Sequence, residues 1–118
     1  MTTKHEDLDR AAIARDFAEA VNMTPAELER WLGTEDSKSV GWTHDGEREA
    51  VGHHSGRQIV TIRHKKKADL TEDDYHHMRT VVGYVHRHLA QGGPADDIEH
   101  SRWRYSLMNW GHDPLKTR

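Results

Sequence analysis

Apolar residues recur at helical spacing near the beginning of the chain. Ile13, Phe17 and Val21 are each four positions apart, so they share one face of a helix. This pattern predicts a first helix over residues 6–22. Acidic residues in its first turn agree with the helix dipole, which favours negative charge there.

A second helix is predicted from the residues around Thr24. Thr24 is a typical N-cap, and Pro25 suits the first helical position. Glu27 can return a hydrogen bond to the cap, which completes the capping-box pattern. Gly33 is typical of a helix end.

Residues 34–55 have no regular apolar period and form a glycine-rich insert. Gly41, Gly46 and Gly52 interrupt it, and Asp45-Gly46 is a dipeptide typical of hairpin turns. We expect either two short extended pieces around that turn or an ordered loop.

A third helix is predicted over residues 55–67, with Ser55 as its N-cap. The β-branched run at 59–62 also suits a strand. The capping pattern and the basic residues after the run favour the helix.

The strongest helix prediction begins at Thr71 and ends at Gln91. Its apolar residues step by three and four, as in the seam of a coiled coil: Tyr75, Met78, Val82, Val85 and Leu89. Such a seam serves either the centre of a monomeric bundle or a dimer interface.

A last short helix is predicted from Ser101, with Trp103, Leu107 and Trp110 on one face. The fold class is therefore mainly α. We expect a compact bundle of about five short helices with a glycine-rich loop or short hairpin insert. The 118 residues suit a single domain over 1–118, with a helical core over about 6–114 and the insert at about 34–55.

The amino-acid composition excludes several kinds of chemistry. The chain has no cysteine, which excludes disulfides, thiol nucleophiles and iron–sulfur centres. No apolar run is long enough to span a membrane, so we expect a cytoplasmic protein without a membrane partner. Eleven histidines make the chain histidine-rich, and the ordinary pKa of a histidine side chain is close to neutral pH.

The formal net charge is -3, but charge is unevenly distributed. Residues 55–68 contain five basic residues and no acid, and residues 101–118 are also basic. The candidate phosphate-binding residues are Arg57, Arg63, Lys65, Lys66, Lys67, Arg102 and Arg104. We expect the two segments to share a face, which is the electrostatic footprint of a nucleic-acid binder.

Each signal also has an ordinary structural explanation. The lysines can pair with the acids that begin the next helix, which requires no ligand. The aromatic rings between Arg102 and Arg104 can stack on bases, or they can simply be core. The serine of Gly52-His53-His54-Ser55-Gly56 lies one place too late for a hydrolase nucleophile elbow.

We therefore expect no catalytic residue, no cofactor and no metal site. His76-His77 and the pair His86 and His88 point in different directions on a helix, so they do not converge on a metal ion.

Several motifs distributed over residues 5–116 resemble one family. They are Thr24-Pro25-Ala26-Glu27-Leu28, Val51-Gly52-His53-His54-Ser55-Gly56-Arg57, Gly83-Tyr84-Val85-His86-Arg87-His88 and Met108-Asn109-Trp110-Gly111-His112-Asp113-Pro114. The chain resembles the DUF3140 family of small bacterial and fungal proteins of unknown function, some of which carry a DNA-binding label. The resemblance implies a helical third segment, favours DNA binding modestly and supplies no catalytic residues.

The leading expectation is a small helical protein that binds DNA or other nucleic acid without sequence specificity, through residues 57–67 and 102–104. The alternative is a protein-interaction or homodimerisation module that uses the seam at 75–89, without catalysis.

Overall fold

The structure is a computed structural model that describes residues 9–40 and 51–116. Within these two ranges it contains α-helices and two short 3₁₀ turns, and no β-strand. The helices are α1 (Arg10–Ala20), α2 (Pro25–Leu32), α3 (Glu35–Ser39), α4 (Val51–His64), α5 (Glu72–Gln91) and α6 (Arg102–Asn109). The turns are Lys67–Asp69 and Ile98–His100. The mainly α fold class is confirmed.

Two helix starts follow directly from capping residues. Thr24 accepts a hydrogen bond from the Glu27 amide at 3.1 Å, and Glu27 accepts one from the Thr24 amide at 2.8 Å. Thr71 and Asp74 form the same reciprocal pair at the start of α5. These bonds confirm the capping box predicted at Thr24 and show the same arrangement at Thr71. Each cap satisfies amides that have no partner within the helix.

The first helix starts later than the prediction. Asp9 caps α1 by accepting a hydrogen bond from the Ala12 amide at 3.1 Å. The helix therefore runs over residues 10–20 rather than 6–22, and the predicted residues 6–8 lie outside the described residues.

The start of the third predicted helix was wrong. This segment is α4, and it begins at Val51 rather than at Ser55. Ser55 is inside the helix and only 2% exposed, so it is not the N-cap. Gly56 explains the packing of this helix, since a Cβ there would lie 2.5 Å from the Asn109 carbonyl oxygen. The helix was correctly preferred to a strand at residues 59–62.

The glycine-rich insert is partly helical. Thr34 caps the five-residue helix α3, which the sequence did not predict, and so the described chain has six α-helices rather than about five. Val51 and Gly52 are helical rather than extended. The turn predicted at Asp45-Gly46 lies outside the described residues.

Helix α5 packs mainly along α1 and also contacts α4 and α6. The Arg10 guanidinium lies over the Tyr75 ring, 4.9 Å from its centroid. The predicted seam is part of the core: Tyr75, Met78 and Val85 are buried, and the other two seam residues pack against the same cluster. Burying this apolar face is the main stabilising contribution to the fold.

The last helix runs antiparallel to α5. The first turn of α6 lies beside the C-terminal end of α5, where the Trp103 indole donates a hydrogen bond to the His88 carbonyl at 2.9 Å. At the other end of α6, Trp110 stacks on Tyr84 with ring centroids 4.2 Å apart. Leu107 and Trp110 are buried, as expected for a core-facing helix.

Residues 109–113 join α6 to the beginning of the chain. His112 Nδ1 donates to the Ala20 carbonyl at 2.8 Å, and Asp113 and Asn22 exchange two hydrogen bonds. Gly111 has φ +84°, a conformation that glycine adopts without strain, and its carbonyl accepts from the Met23 amide. Every residue of this closing segment therefore has a structural role.

Candidate nucleic-acid interface

The C-terminal end of α4 and the turn after it expose three cations. Arg63 is exposed on α4, and Lys66 and Lys67 are exposed in the turn before α5. Among the described residues, none of the three takes part in a hydrogen bond or an ion pair through its side chain. We call Arg63, Lys66 and Lys67 the end cluster.

Lys65 behaves differently from its neighbours. Its Nζ lies 2.6 Å from Asp74 Oδ2, and both side chains are partly buried. Although burial opposes the effect, the hydrogen bonds from Lys65 and Thr71 hold the pKa of Asp74 below its usual value. Lys65 thus connects α4 to α5. This agrees with the explanation that the lysines pair with the acids at the start of the next helix and require no ligand.

Arg57 lies on the exposed side of α4 at an open groove between α2 and α4. The groove has a volume of about 470 Å³, and Glu29 and His53 also line it. His53 Nε2 donates to the Leu32 carbonyl at 2.7 Å, at the C-terminal end of α2. Because the groove presents both an acid and bases, its charge alone does not favour an anionic ligand.

Arg104 is engaged within the fold. Its Nε and Nη2 donate to the two carboxylate oxygens of Asp113 at 3.0 and 2.9 Å, and its Nη1 donates to the Glu99 carbonyl at 3.0 Å. The hydrogen bonds to Asp113 raise the pKa of Arg104. Arg102 is more exposed and makes one long hydrogen bond, 3.3 Å, to the Ser39 carbonyl.

The two basic segments are attached to opposite ends of α5. Lys65 contacts Asp74 in the first turn of α5, and Trp103 contacts His88 fourteen residues later. At 1.5 Å per residue these two contact points are about 21 Å apart. The structure therefore does not bring residues 65–67 next to residues 102–104.

The structure shows a second group of surface cations, which sequence reasoning missed. The exposed face of α5 carries Arg79 and Arg87 together with His76 and His86. We call these four residues the α5 stripe. The formal charges of residues 69–100 sum to a strongly negative value, but the acidic residues of this segment occur only at its two ends. No Asp or Glu occurs from 75 to 95. Helical spacing rather than a charge sum is the signal that reveals the stripe.

The rings near Arg102 and Arg104 face other rings. Five of them form a stacked series that we call the aromatic ladder: His77, Trp110, Tyr84, His88 and Trp103, with successive centroids 6.4, 4.2, 5.2 and 6.2 Å apart. Among the described residues, no Trp, Tyr or Phe is in the exposed class. The ladder supports the core explanation of the tryptophans.

Two histidines of the ladder are held in an apolar setting. Burial lowers the pKa of His77, and it also lowers the pKa of His88. His77 Nε2 is hydrogen-bonded to Ser55 Oγ at 3.0 Å. Because Ser55 is buried inside α4, its hydroxyl is inaccessible to a substrate, and this pair connects two helices.

Over residues 9–40 and 51–116, no group of three or more His, Asp or Glu side chains is placed to hold a metal ion. Within the same ranges, no helix combines the length and the apolar character needed to cross a membrane.

The fold and the surface define a small all-α protein whose exposed cations are its candidate binding groups. The chain belongs to the DUF3140 family: the model of this family, described as a protein of unknown function, matches residues 16–108. This confirms the resemblance seen in the sequence. Comparisons with curated proteins and with solved structures gave no match.

Proposed function

We propose that this protein binds the phosphate backbone of nucleic acid without sequence specificity, and that the end cluster makes the contacts. The observation that carries the proposal is the difference between four neighbouring cations. Lys65 is paired with Asp74, whereas Arg63, Lys66 and Lys67 are exposed and have no ion-pair partner among the described residues. Three such cations within five positions attract a polyanion at short range even though the whole chain is slightly acidic.

The acids next to the end cluster limit what it can recognise. Glu72 and Asp73 are exposed in the first turn of α5, which is the part of a helix-turn-helix that would enter the major groove. Carboxylates at that position repel phosphates. The first turn of α5 therefore does not read base edges, and the end cluster contacts the backbone only.

The seam at 75–89 supports no comparable proposal of a dimer. Tyr75, Met78 and Val85 are between 1% and 3% exposed, so a partner helix could not reach them in the folded chain. A dimer would have to use other residues.

Salt dependence provides the test. Fluorescence anisotropy measures the affinity of the protein for a labelled duplex of mixed sequence between about 50 and 200 mM salt. Three phosphate contacts predict that log affinity falls with log salt at a slope of about -2.7. The variant Arg63→Ala/Lys66→Ala/Lys67→Ala is expected to lose most of this slope.

A matched control removes exposed cations elsewhere. Arg15→Ala/Arg30→Ala changes charge on α1 and α2 and is expected to leave the slope within about 0.5 of the unmodified value. The proposal fails if the unmodified protein shows no binding at low salt, or if the control lowers the slope as much as the end-cluster variant.

A further inference from the structure

The exposed face of α5 is a basic surface of its own. Beyond the acidic first turn, its exposed positions are 76, 79, 80, 86, 87, 90 and 91, and Gly83 lies half-buried among them. These positions repeat at three and four residues and so form one continuous face. Arg79 and Arg87 form no ion pair with any described residue.

The four basic side chains fall into two rows along the helix. Arg79 and His86 are seven positions apart, which is close to two turns, and they lie on one edge of the face. His76 and Arg87 are eleven positions apart, about three turns, and lie on the other edge. The stripe extends for about 16 Å along α5.

Glycine occupies the middle of the face between the two rows. A glycine within a helix costs about 1 kcal/mol relative to alanine, so Gly83 needs a reason in the packing. Arg87 folds back across it, and a Cβ at Gly83 would lie 3.0 Å from Arg87 Nη1. Because Gly83 has no side chain, the Arg87 guanidinium can lie across the middle of the face, and no apolar side chain separates the two rows of basic residues.

We propose that the α5 stripe is a second nucleic-acid contact, and that it places α5 along the major groove of duplex DNA with basic side chains towards the phosphates on both sides. This rests on the proposed function but involves different residues. Glu72 and Asp73 repel phosphates, so the contact is confined to the part of α5 from His76 to the end of the helix.

The structure favours duplex DNA over two other nucleic acids. Binding of single strands relies on exposed rings that stack on bases, whereas the rings of the aromatic ladder stack on each other. The major groove of double-stranded RNA is too narrow and deep for a helix.

The experiment compares the stripe with the end cluster on the same labelled duplex. With the two stripe contacts added to the three of the end cluster, the slope of the unmodified protein is expected to be about -4.5, since each phosphate contact accounts for about 0.9. Arg79→Ala/Arg87→Ala is expected to reduce it by about 1.8. The end-cluster variant is expected to lower the slope independently, and a variant that combines both sets should lose the sum of the two changes.

Gly83→Leu tests the shape of the face. It removes no charge, but the leucine fills the middle of the face and displaces the Arg87 guanidinium, so we expect at least tenfold weaker binding, to an order of magnitude, with an unchanged helix signal in far-ultraviolet circular dichroism. Ala18→Leu, at an exposed position of α1 outside this face, is the matched control and is expected to keep most of the affinity.

The outcomes distinguish the two proposals. If the end-cluster variant loses slope and the stripe variant does not, the stripe proposal is overturned and the proposed function stands. If only the stripe variant loses slope, the role of the end cluster is overturned. Tighter binding of a single strand, of duplex RNA or of polyglutamate than of the DNA duplex would overturn groove docking, and absence of any binding would overturn both proposals.

Discussion

Asn109 holds Ser37 by two hydrogen bonds across the interior of the bundle. Asn109 Oδ1 accepts a bond from Ser37 Oγ at 2.5 Å, and Asn109 Nδ2 donates to the Ser37 carbonyl at 3.0 Å. The same Oδ1 accepts a third bond from the Trp31 indole at 2.7 Å. Asn109 and Ser37 are 1% and 0% exposed, so this side chain fixes α3 to α2 and α6 without help from solvent.

Replacing Asn109 should therefore destabilise the fold. Asn109→Ala leaves the buried Ser37 hydroxyl and carbonyl without partners and removes the acceptor of the partly buried Trp31 indole, and each buried unpaired group costs about 1–3 kcal/mol. We expect the free energy of unfolding in urea to fall by about 3 kcal/mol. Ser39→Ala removes an exposed hydroxyl from the same short helix and should change it by less than about 0.5 kcal/mol. An Asn109→Ala protein as stable as the unmodified one would contradict the role assigned to this network.

The parts of the fold that could be predicted depend on hydrogen bonds between residues that are close in sequence. The caps at Thr24 and Thr71 bond to residues three positions away, so their signals are complete within a short window of sequence. Helix α3 depends instead on Asn109, whose partner Ser37 is 72 positions away. The cap at Thr34 is a local signal, but a five-residue helix has little stability of its own, so the cap alone does not predict it.

The candidate site also combines features that the sequence predicts with features that it does not. The sequence supplies the basic residues as candidates, but it does not show which of them the fold engages. Lys65 and Arg104 each pair with an acid nine positions further along, and this depends on how a turn or a chain end folds back. The α5 stripe was hidden for another reason, because the acids at the two ends of its segment outweigh Arg79 and Arg87 in any sum of charge.

Two glycines within helices predict opposite effects of the same substitution. At Gly56 a Cβ would lie 2.5 Å from the Asn109 carbonyl oxygen and 2.7 Å from Leu32 Cδ2, so Gly56→Ala must separate α4 from its neighbours. We expect the free energy of unfolding of this variant to fall by about 2 kcal/mol. At Gly83 the nearest atom is the flexible end of Arg87, and Gly83→Ala should raise stability by up to about 1 kcal/mol.

Thermal unfolding followed by circular dichroism measures both variants under one set of conditions. The pair is its own control, since the chemical change is identical and the helix propensity gain is the same. A stabilising Gly56→Ala, or a Gly83→Ala that destabilises, would contradict the packing described around α4 and α5.

Arg104 and Arg102 are expected to differ in their structural contribution. Arg104 makes two charge-assisted hydrogen bonds to Asp113, with both side chains less than a fifth exposed. Arg104→Ala leaves that carboxylate partly buried and unpaired, and we expect about 2 kcal/mol of destabilisation in urea. Arg102→Ala, which removes one long hydrogen bond at the surface, should cost less than about 0.5 kcal/mol. Equal losses for the two variants would show that the pair with Asp113 contributes little.

The histidines of the aromatic ladder predict a loss of stability in mild acid. Burial lowers the pKa of His77 and of His88 in the folded state, so the unfolded chain binds more protons once the pH falls below the ordinary histidine value of 6.5. Their contribution to stability is complete above that value and declines as the pH falls through the folded-state values. His88 Nε2 is buried and has no hydrogen-bond partner among the described residues, so a proton there would gain no acceptor. We expect the free energy of unfolding to decrease between about pH 7.5 and pH 5.5, and His88→Phe, which keeps a ring in the ladder, to reduce that decrease.

His100 provides the opposite control. Its hydrogen bond to Asp97 raises its pKa, so its protonated form stabilises the fold on the acid side. His100→Gln should therefore make the loss of stability in acid steeper. Urea unfolding at a series of pH values measures all three proteins, and a His88→Phe variant with the same pH dependence as the unmodified chain would show that the ladder does not carry the effect.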